Sequence, residues 1–353
     1  MAREPLRVGL LGYGTAGRVF HAPLVAATPG LRLAAVVTGD PRRRAQAGAE
    51  HPDAHLLDAP EQLWSAPADL DLVVVATPNR QHVPMARAAL AAGLPVVVDK
   101  PLAPTSAEAH ALIAAAAAAG LPLTAFQNRR WDGDFRTVRR LVEAGELGRV
   151  TRFESRFERW RPAIKPGWRE SAAPGGAGGA LFDLGAHLID QAVQLFGPVA
   201  RVYAEVDRRR PGAEVDDDAF VALTHTNGVR SQLWMGAVTA QLGPRFRVLG
   251  DRAAYTSYGL DPQEAALRDG GRPGTPGWGE VTPDRYGQLG VDGDLRAVPT
   301  EAGRYQDFYA QVEAALRDGT PMPVDPADSA HVVALIELAH QAAAQGATLP
   351  VPD

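Results

Sequence analysis

The sequence predicts an α/β protein built in two parts, a doubly wound parallel sheet followed by an α+β part with an open, mostly antiparallel sheet. A glycine-rich turn at residues 12–17 follows an apolar run and precedes a helix-like stretch. More apolar runs follow, with helical stretches between them, and from about residue 149 the pattern changes to alternating apolar and polar residues. A chain of 353 residues exceeds what one core usually supports. We therefore expect a first domain over 1–125 and a second over 126–353.

Composition excludes several classes of function. The formal net charge of -5 leaves no basic excess for neutralising phosphates, which argues against a general nucleic-acid binder. The sequence has no cysteine, so disulfides and thiolate chemistry are excluded. The start of the chain shows no signal-peptide pattern, and its longest alanine run, Ala114–Ala119, is too short to span a bilayer. We expect a cytoplasmic protein with no nucleic-acid or membrane partner.

The first predicted strand, residues 7–12, leads into a G-x-G-x-x-G motif. Gly12 permits a tight turn, Gly14 lets a pyrophosphate approach the backbone, and Gly17 lets the following helix pack close to the strand. The motif occupies its required place between a strand and a helix, which predicts a Rossmann dinucleotide site. Its members are Gly12, Tyr13, Gly14, Thr15, Ala16 and Gly17.

The elements that follow have the spacing of a parallel sheet with crossover helices. Short runs rich in Val, Leu and Ala predict buried strands, and longer Ala-rich stretches between them predict helices. The strands are predicted at Leu31–Val37, Leu72–Ala76, Pro95–Val98 and Leu121–Phe126, and the clearest helices at Gln81–Ala92 and Ser106–Ala119.

The end of the second strand bears on the choice of cofactor. An acidic residue normally holds the ribose 2′-hydroxyl of NAD there, but this chain has Thr38. Asp40 lies two residues later, where it is better explained as a turn residue or helix N-cap. Arg42, Arg43 and Arg44 follow and suit a 2′-phosphate, although they could also be a solvated first helical turn. The pattern favours NADP over NAD.

Two polar turns follow later strands, at the carboxyl edge where ligands bind in open α/β sheets. Thr77-Pro78-Asn79 follows one strand, with His82 shortly after it, and Asp99-Lys100-Pro101 follows the next. Of 36 basic residues only Lys100 and Lys165 are lysine. Because a lysine ammonium can exchange its proton where a guanidinium cannot, Lys100 is a candidate catalytic residue; a surface ion pair with Asp99 is the alternative.

The second half predicts sheet and loops before two closing helices. The alternating runs indicate strands with one covered face, and the Pro- and Gly-rich stretches indicate long loops, which often cover a site. Strands are predicted within 148–160 and at Val199–Val206, Ala219–Thr224, Val229–Met235 and Phe246–Leu249, loops at 161–179 and 270–293, and helices at Gln306–Leu316 and Pro326–Ala344.

A helix beginning near Phe182 carries the most informative polar pattern of this half. At 100° per residue, five polar residues fall on one third of its circumference, and the rest is apolar, which predicts a largely buried helix. A solvated stripe would more often carry Arg and Glu, so the pattern favours a cavity wall. The polar residues are Asp183, His187, Asp190, Gln191 and Gln194. A divalent metal held by Asp183, His187 and Asp190 is an alternative.

These motifs together resemble the Gfo/Idh/MocA oxidoreductases. The family's TPN-x-x-H loop matches residues 77–82, and its E-K-P turn matches 99–101, with Asp99 in place of the commoner glutamate. Further stretches resemble the subgroup that includes NADP-dependent scyllo-inositol dehydrogenases: GYGTAGRVFHAP at 12–23, FQNRRWDGDF at 126–135, DLGAHLID at 183–190 and YGLDPQEAALRDG at 258–270.

The resemblance implies an NADP-dependent oxidoreductase acting on a secondary alcohol of a cyclic polyol or sugar. It implies catalytic roles for Lys100, Asp183 and His187, of which His187 suits the base. It also places Asn128 and Arg129 near substrate. Arg129 and Arg130 could hold substrate or cofactor oxygens or, equally, form an interdomain ion pair. His21, Trp168 and Tyr258 lie in the matched stretches and could be packing residues.

The resemblance further implies a homo-oligomer, dimer or tetramer, formed through the second sheet. A non-catalytic nucleotide sensor of the same fold is the other alternative, since fold alone does not guarantee activity.

Overall fold

The computed structural model describes residues 3–65, 69–165 and 167–352. The chain forms two compact units. The first unit comprises the chain up to Trp131 together with Gln263–Trp278 and Arg304–Ala330. The second comprises Asp132–Pro262, Gly279–Gly303 and the chain from His331 onward.

Strands and helices alternate in the first part of the chain, and strands dominate the second. The strands are β1 (Leu6–Leu11), β2 (Leu31–Val37), β3 (His55–Leu57), β4 (Leu72–Val75), β5 (Val96–Asp99), β6 (Leu123–Phe126), β7 (Val150–Glu158), β8 (Val199–Asp207), β9 (Asp218–His225), β10 (Arg230–Gly236), β11 (Phe246–Gly250), β12 (Ala254–Ser257), β13 (Gly287–Val291), β14 (Asp294–Val298) and β15 (Leu349–Pro350). The α-helices are α1 (Ala22–Ala26), α2 (Pro41–Glu50), α3 (Glu61–Trp64), α4 (His82–Ala91), α5 (Ser106–Ala119), α6 (Gly133–Glu143), α7 (Ala186–Phe196), α8 (Gln263–Arg268), α9 (Gln306–Asp318) and α10 (Pro326–Gln345).

The first unit contains a six-stranded parallel sheet in the order β3-β2-β1-β4-β5-β6. This is the strand order of a dinucleotide-binding Rossmann fold, so the predicted fold of this part is confirmed. Both faces of the sheet are covered, because alternate residues of one strand enter different cores: Val8 and Leu10 pack on one face and Leu11 on the other. Burial on both faces explains why these strands are continuous apolar runs in the sequence.

The second unit contains a nine-stranded sheet in the order β14-β13-β12-β11-β7-β10-β9-β8-β15. Only the β7–β10 pair is parallel among its described pairings, so the predicted mostly antiparallel sheet is confirmed. Residues of β9 and β10 alternate between buried and half-buried. One face packs on α6, α7 and part of α10, and this core includes Phe153, Leu233 and Ile336.

Several local predictions differ from the structure. The loop predicted over 270–293 is wrong in its last part, because Gly287–Val291 forms β13 and pairs with β12 and β14. Gly-rich composition concealed this strand. The predicted loop over 161–179 has only a short 3₁₀ turn at Trp168–Glu170 in its described residues. The helix predicted to begin near Phe182 starts with a π-helical turn, Leu181–Gly185, before α7 begins.

None of the helices described in residues 3–65, 69–165 and 167–352 has the length and apolar character needed to cross a membrane.

Candidate functional site

The turn after β1 has the close packing that its glycines predict. Gly12 has a φ of 96°, and a Cβ there would lie 2.6 Å from the Ala76 carbonyl oxygen. A Cβ at Gly17 would overlap the Gly12 carbonyl oxygen. Gly14 differs, since the nearest atom to its Cβ position is the Arg43 Nη1 at 3.7 Å. The backbone is therefore open at Gly14, where a phosphate is expected to approach, and the observed turn fits a dinucleotide.

The neighbouring residues of this turn begin a helical segment. Thr15 precedes a π-helical turn, Ala16–His21, which continues into α1, and the positive end of such a segment favours an anion. The Tyr13 side chain is buried, and its hydroxyl donates to Glu50 Oε2 at 2.6 Å. Tyr13 is therefore available to a ligand through its backbone, whereas its side chain packs in the core.

The three arginines that follow β2 have different contacts. Asp40 caps α2 by accepting from the backbone N–H of Arg42 at 2.9 Å and of Arg43 at 3.2 Å, which confirms its predicted role as an N-cap. These two bonds hold the pKa of the Asp40 carboxyl below its ordinary value, the one from Arg43 most strongly. Arg44 pairs with Asp58. Arg43 is the arginine that reaches the glycine-rich turn, and Thr38 beside it is buried.

His82 joins the two polar turns that follow β4 and β5. Its Nδ1 lies 2.8 Å from the Pro101 carbonyl oxygen and its Nε2 lies 2.9 Å from the Thr77 carbonyl oxygen. The ring is fully buried, and burial lowers its pKa. The His82 ring therefore lies between the Thr77-Pro78-Asn79 turn and the Lys100 turn, by which we mean Asp99-Lys100-Pro101, and when neutral it donates to one of the two carbonyls.

The Lys100 turn is held from a second side. Asp99 Oδ1 accepts the backbone N–H of Lys100 at 2.9 Å, and it lies 3.7 Å from Nε2 of His21. Burial pushes the pKa of Asp99 up, but His21, His82 and Lys100 outweigh it, so the pKa is lowered. The sequence placed His21 in a family-like stretch and left open whether it is a packing residue. The sequence shows Asp99 next to Lys100, but it does not show that His21 lies close to the Asp99 carboxylate.

The two arginines in the turn after β6, Arg129 and Arg130, form ion pairs within the first unit. Arg129 donates to Glu264 Oε2 at 2.6 Å, and Arg130 pairs with Asp328 at 3.0 Å. Asn128 is buried beside them. Both arginines are ion-paired, but within one unit, so the interdomain ion pair that the sequence left open is not the pairing observed.

In the second unit, the polar residues of the predicted helix have different surroundings. α7 is largely buried, as predicted, and His187 and Asp190 are 6 % and 2 % exposed. Asp183 lies in the preceding π-helical turn, so the 100° spacing does not describe its relation to the others. Its carboxylate lies 3.3 Å from Nε of Arg169, a residue of the 161–179 loop that the sequence did not single out.

Gln191 belongs to a buried network rather than to an open wall. Its Oε1 accepts from Nη2 of Arg245 at 2.9 Å. Arg245 also donates to Ser155 Oγ at 2.6 Å and lies 3.4 Å from the Asp134 carboxylate. A buried guanidinium therefore takes up the oxygen of the Gln191 side chain.

The metal alternative has no support in the geometry. Among the described residues, no group of three or more His, Cys, Asp or Glu side chains is arranged to hold a metal ion. Asp183, His187 and Asp190 accordingly do not converge as a ligand set.

Comparison with protein families matches both halves of the chain. A model described as an oxidoreductase family with an NAD-binding Rossmann fold matches residues 6–126. A model of the GFO/IDH/MocA C-terminal domain matches residues 135–256. The second match covers most of the nine-stranded sheet.

Individual relatives match over nearly the full length. The uncharacterised oxidoreductase YdgJ of Escherichia coli K12 is 40% identical over 98% of this chain and 99% of its own. The NADP-dependent scyllo-inositol 2-dehydrogenase IolW of Bacillus subtilis 168 is 33% identical over 98% of this chain and 96% of its own. The solved structure of the Bacillus subtilis protein yvaA, in a triclinic crystal form, has a TM-score of 0.92 at 32% identity and covers 99% of both chains. The chain belongs to the Gfo/Idh/MocA family of oxidoreductases.

Proposed function

We propose that the protein is an NADP-dependent dehydrogenase or reductase that acts on a secondary alcohol of a cyclic polyol or sugar, with scyllo-inositol among its better substrates. The observation that carries this proposal is the position of Lys100 at the carboxyl end of β5, on the same sheet edge as the glycine-rich turn. In open α/β sheets that edge is where the ligand binds.

The cofactor would be held by the backbone at Gly12, Gly14 and Gly17 and by the turns after β2, β4 and β5. Residues assigned to it are Tyr13, Thr15, Ala16, Thr38, Arg42, Arg43, Thr77, Pro78, Asn79, His82 and Lys100. His82 would act through the two turns that it joins. When bound, the nicotinamide supplies the acceptor or donor of the hydride.

The choice of NADP rests on Arg43. Its guanidinium lies at the opening beside Gly14, and Thr38 offers no carboxylate to repel a phosphate. Guanidinium groups bind phosphate through paired, charge-assisted hydrogen bonds. Arg42 would add long-range attraction, whereas Arg44 is engaged with Asp58.

Lys100, Asp183 and His187 are proposed to act on the same substrate hydroxyl. In oxidation His187 accepts the hydroxyl proton, and in reduction the imidazolium returns it. Lys100 donates a hydrogen bond to the oxygen as negative charge develops on it. Asp183 orients the hydroxyl or the imidazole. Asn128 and Arg129 are proposed to bind other substrate oxygens, with Arg129 retaining Glu264 as its partner.

The substrate class is supported by the hydrogen-bonding character of these side chains and by the similarity to IolW, a scyllo-inositol 2-dehydrogenase. Buried polar groups discriminate against ligands that leave them without partners. Inositols, aldoses and short alkyl alcohols should be assayed with NADP, and the matching ketones with NADPH, following absorbance of the reduced cofactor. We expect cyclic polyols to be used best. A preference for an apolar alcohol over every polyol would contradict the proposal, and absence of turnover with any of them would favour a nucleotide sensor.

Self-association through the open face of the second sheet and a cytoplasmic location complete the proposal. That face carries an aromatic row in which the Phe220 and Trp234 rings lie 5.0 Å apart and Arg156 stacks 4.0 Å from Trp234. Phe220→Glu with Trp234→Glu should convert an oligomer to monomer in light scattering. A mass unchanged by both substitutions, or a monomeric parent protein, would contradict this surface.

A further inference from the structure

A chain of contacts between buried side chains runs from Tyr309 through His21 to Asp99 of the Lys100 turn. Tyr309, His21 and Asp99 are 0 %, 0 % and 8 % exposed, and we refer to them as the buried triad. The Tyr309 hydroxyl lies 2.6 Å from His21 Nδ1, and His21 Nε2 lies 3.7 Å from Asp99 Oδ1. All three belong to the first unit. None of the chemical steps described above uses Tyr309 or His21.

The contacts allow the proton of a neutral His21 ring to be assigned. Its Nε2 is buried without a hydrogen-bond partner and faces the Asp99 carboxylate. A lone pair on Nε2 would repel the carboxylate, whereas an N–H would attract it. With the proton on Nε2, Nδ1 is an acceptor, and the Tyr309 hydroxyl can donate to it. The arrangement therefore has a direction: Tyr309 donates to His21, and His21 turns its N–H toward Asp99.

The surroundings of His21 and Asp99 strengthen the electrostatic interaction between them. The Phe126 ring packs 4.4 Å from the His21 ring, so the contact lies in an apolar environment where electrostatic interactions are strong. The titratable groups that act on Asp99 are His21, His82 and Lys100, and Asp99 in turn raises the pKa of Tyr309 together with burial, which is the larger cause. Asp99 Oδ1 also accepts the backbone N–H of Lys100. The same oxygen thus connects the buried triad to Lys100.

We propose that Tyr309, His21 and Asp99 are positioning residues that fix the Lys100 turn and keep an ionised carboxylate beside the Lys100 ammonium. This inference rests on the proposed function for its meaning, since it explains how Lys100 is prepared for chemistry. Its test does not require turnover.

The chain has only two lysines, which permits a direct test. The full-length protein without cofactor is labelled briefly with trace acetic anhydride at about pH 8, where free amines form a small fraction of lysine. Mass spectrometry then gives the ratio of acetylation at Lys100 to acetylation at Lys165. Lys165 lies on an exposed loop in the second unit and is the internal reference.

Asp99→Asn keeps an oxygen for the Lys100 N–H but removes the charge. Loss of a neighbouring carboxylate favours the free amine, so the ratio should rise about threefold to tenfold. Asp99→Glu restores the charge and should bring the ratio back toward that of the parent protein. An unchanged ratio in Asp99→Asn would overturn the proposal.

Two substitutions of His21 test the roles of its two ring nitrogens separately. Asn can replace Nδ1 and loses the donor toward Asp99, so the carboxylate is held less firmly beside Lys100 and the ratio should rise about twofold to threefold. Gln places an N–H near the position of Nε2 and should leave the ratio close to that of the parent protein. Equal ratios in His21→Asn and His21→Gln would contradict the assigned direction.

His225→Asn is the matched control for disturbing a buried histidine. His225 is 1 % exposed and contacts the Gly197 carbonyl and Ser231 Oγ in the second unit, so this change should lower stability and leave the ratio unchanged. Should His21→Asn fail to fold, Tyr309→Phe removes only the hydroxyl and should raise the ratio by a smaller amount.

The role of the buried triad and the proposed function can be rejected independently of each other. A ratio that responds to Asp99→Asn and His21→Asn in a protein that turns over no polyol would retain the buried triad and reject the proposed function. If the protein turns over polyols but neither substitution changes the ratio, the proposed function is retained and the role of the buried triad is rejected.

Discussion

The Lys100 turn of the first unit and the Asp183 segment of the second are held in different ways. The Lys100 turn is fixed by buried groups on two sides, His82 through the Pro101 carbonyl and His21 through Asp99. Asp183 lies in a single π-helical turn with a partly exposed carboxylate, and Arg169, its ion-pair partner, comes from a long loop. The polar contacts of the first region are buried, whereas the Arg169–Asp183 ion pair of the second is partly exposed.

This difference suggests a division of labour. Groups that stabilise charge at the reacting atoms gain from being fixed before substrate arrives. Groups that select among substrates can exchange one partner for another when the ligand binds. We therefore expect changes at the Lys100 turn to act on kcat and changes at Arg169, which pairs with Asp183, to act on KM and substrate preference. Four substitutions test that comparison.

Lys100→Ala should have the largest effect. It removes the group that stabilises the developing oxyanion, so kcat should fall by about two to four orders of magnitude. Affinity for NADPH, measured by fluorescence, should change little. Lys165→Ala is the control and should retain full turnover. Near-normal turnover of Lys100→Ala, or loss of cofactor affinity alone, would remove Lys100 from the chemistry.

His187→Ala should come next, with a loss of kcat of about two to three orders of magnitude, because the proposed base is absent. His225→Ala is the control, since it removes a buried histidine of the same unit that has no proposed role in chemistry. His225→Ala should lower the unfolding temperature but keep the turnover of its folded fraction. If His187→Ala showed that same pattern, His187 would be structural.

Arg43→Ala should have a smaller effect, confined to the cofactor. Loss of one charge-assisted contact to the 2′-phosphate should lower kcat/KM for NADP by roughly tenfold and leave that for NAD nearly unchanged. Arg42→Ala should cost less, because no contact places Arg42 at the glycine-rich turn. Equal or better efficiency of the unmodified protein with NAD would overturn the assignment.

Arg169→Ala should have the smallest effect. Partly exposed ion pairs contribute little, so we expect changes in substrate KM of about fivefold or less, with kcat retained. The ranking of inositols and aldoses should nevertheless shift, since Asp183 loses its neighbour. Arg161→Ala, an exposed arginine of the same loop, should leave the ranking unchanged. A collapse of kcat in Arg169→Ala would show that the Asp183 segment is as rigidly required as the Lys100 turn.

Local patterns predicted much of the first sheet. β2 and α5 have the predicted bounds, because a continuous apolar run between turn residues and an Ala-rich stretch starting after Thr105 are strong local signals. The short strands β12 to β15 have no such signal. The segments Gln263–Trp278 and Arg304–Ala330 pack with the first unit through residues such as Tyr305 and Phe308, and no local pattern indicates which sheet they pack against.

The candidate site divides in the same way. The glycine-rich turn, Lys100 and Asp40 are visible because a strand end and its turn are contiguous in sequence. The contact of His21 with Tyr309 joins residues 288 positions apart, and Arg169 and Arg245 reach their partners from loops and strands elsewhere in the second unit. Contacts of that kind depend on packing, which one sequence does not reveal.

Transfer of deuterium tests the central claim most directly. The protein is incubated with NADP and scyllo-inositol deuterated at its ring carbons, and the reduced cofactor is analysed by mass spectrometry. If the protein oxidises a secondary alcohol of this polyol, deuterium from the ring carbon appears in NADPH in step with turnover, and Lys100→Ala slows its appearance as much as it slows kcat. Reduced cofactor without deuterium, or no reduction of NADP by any polyol that carries the label, would contradict the account.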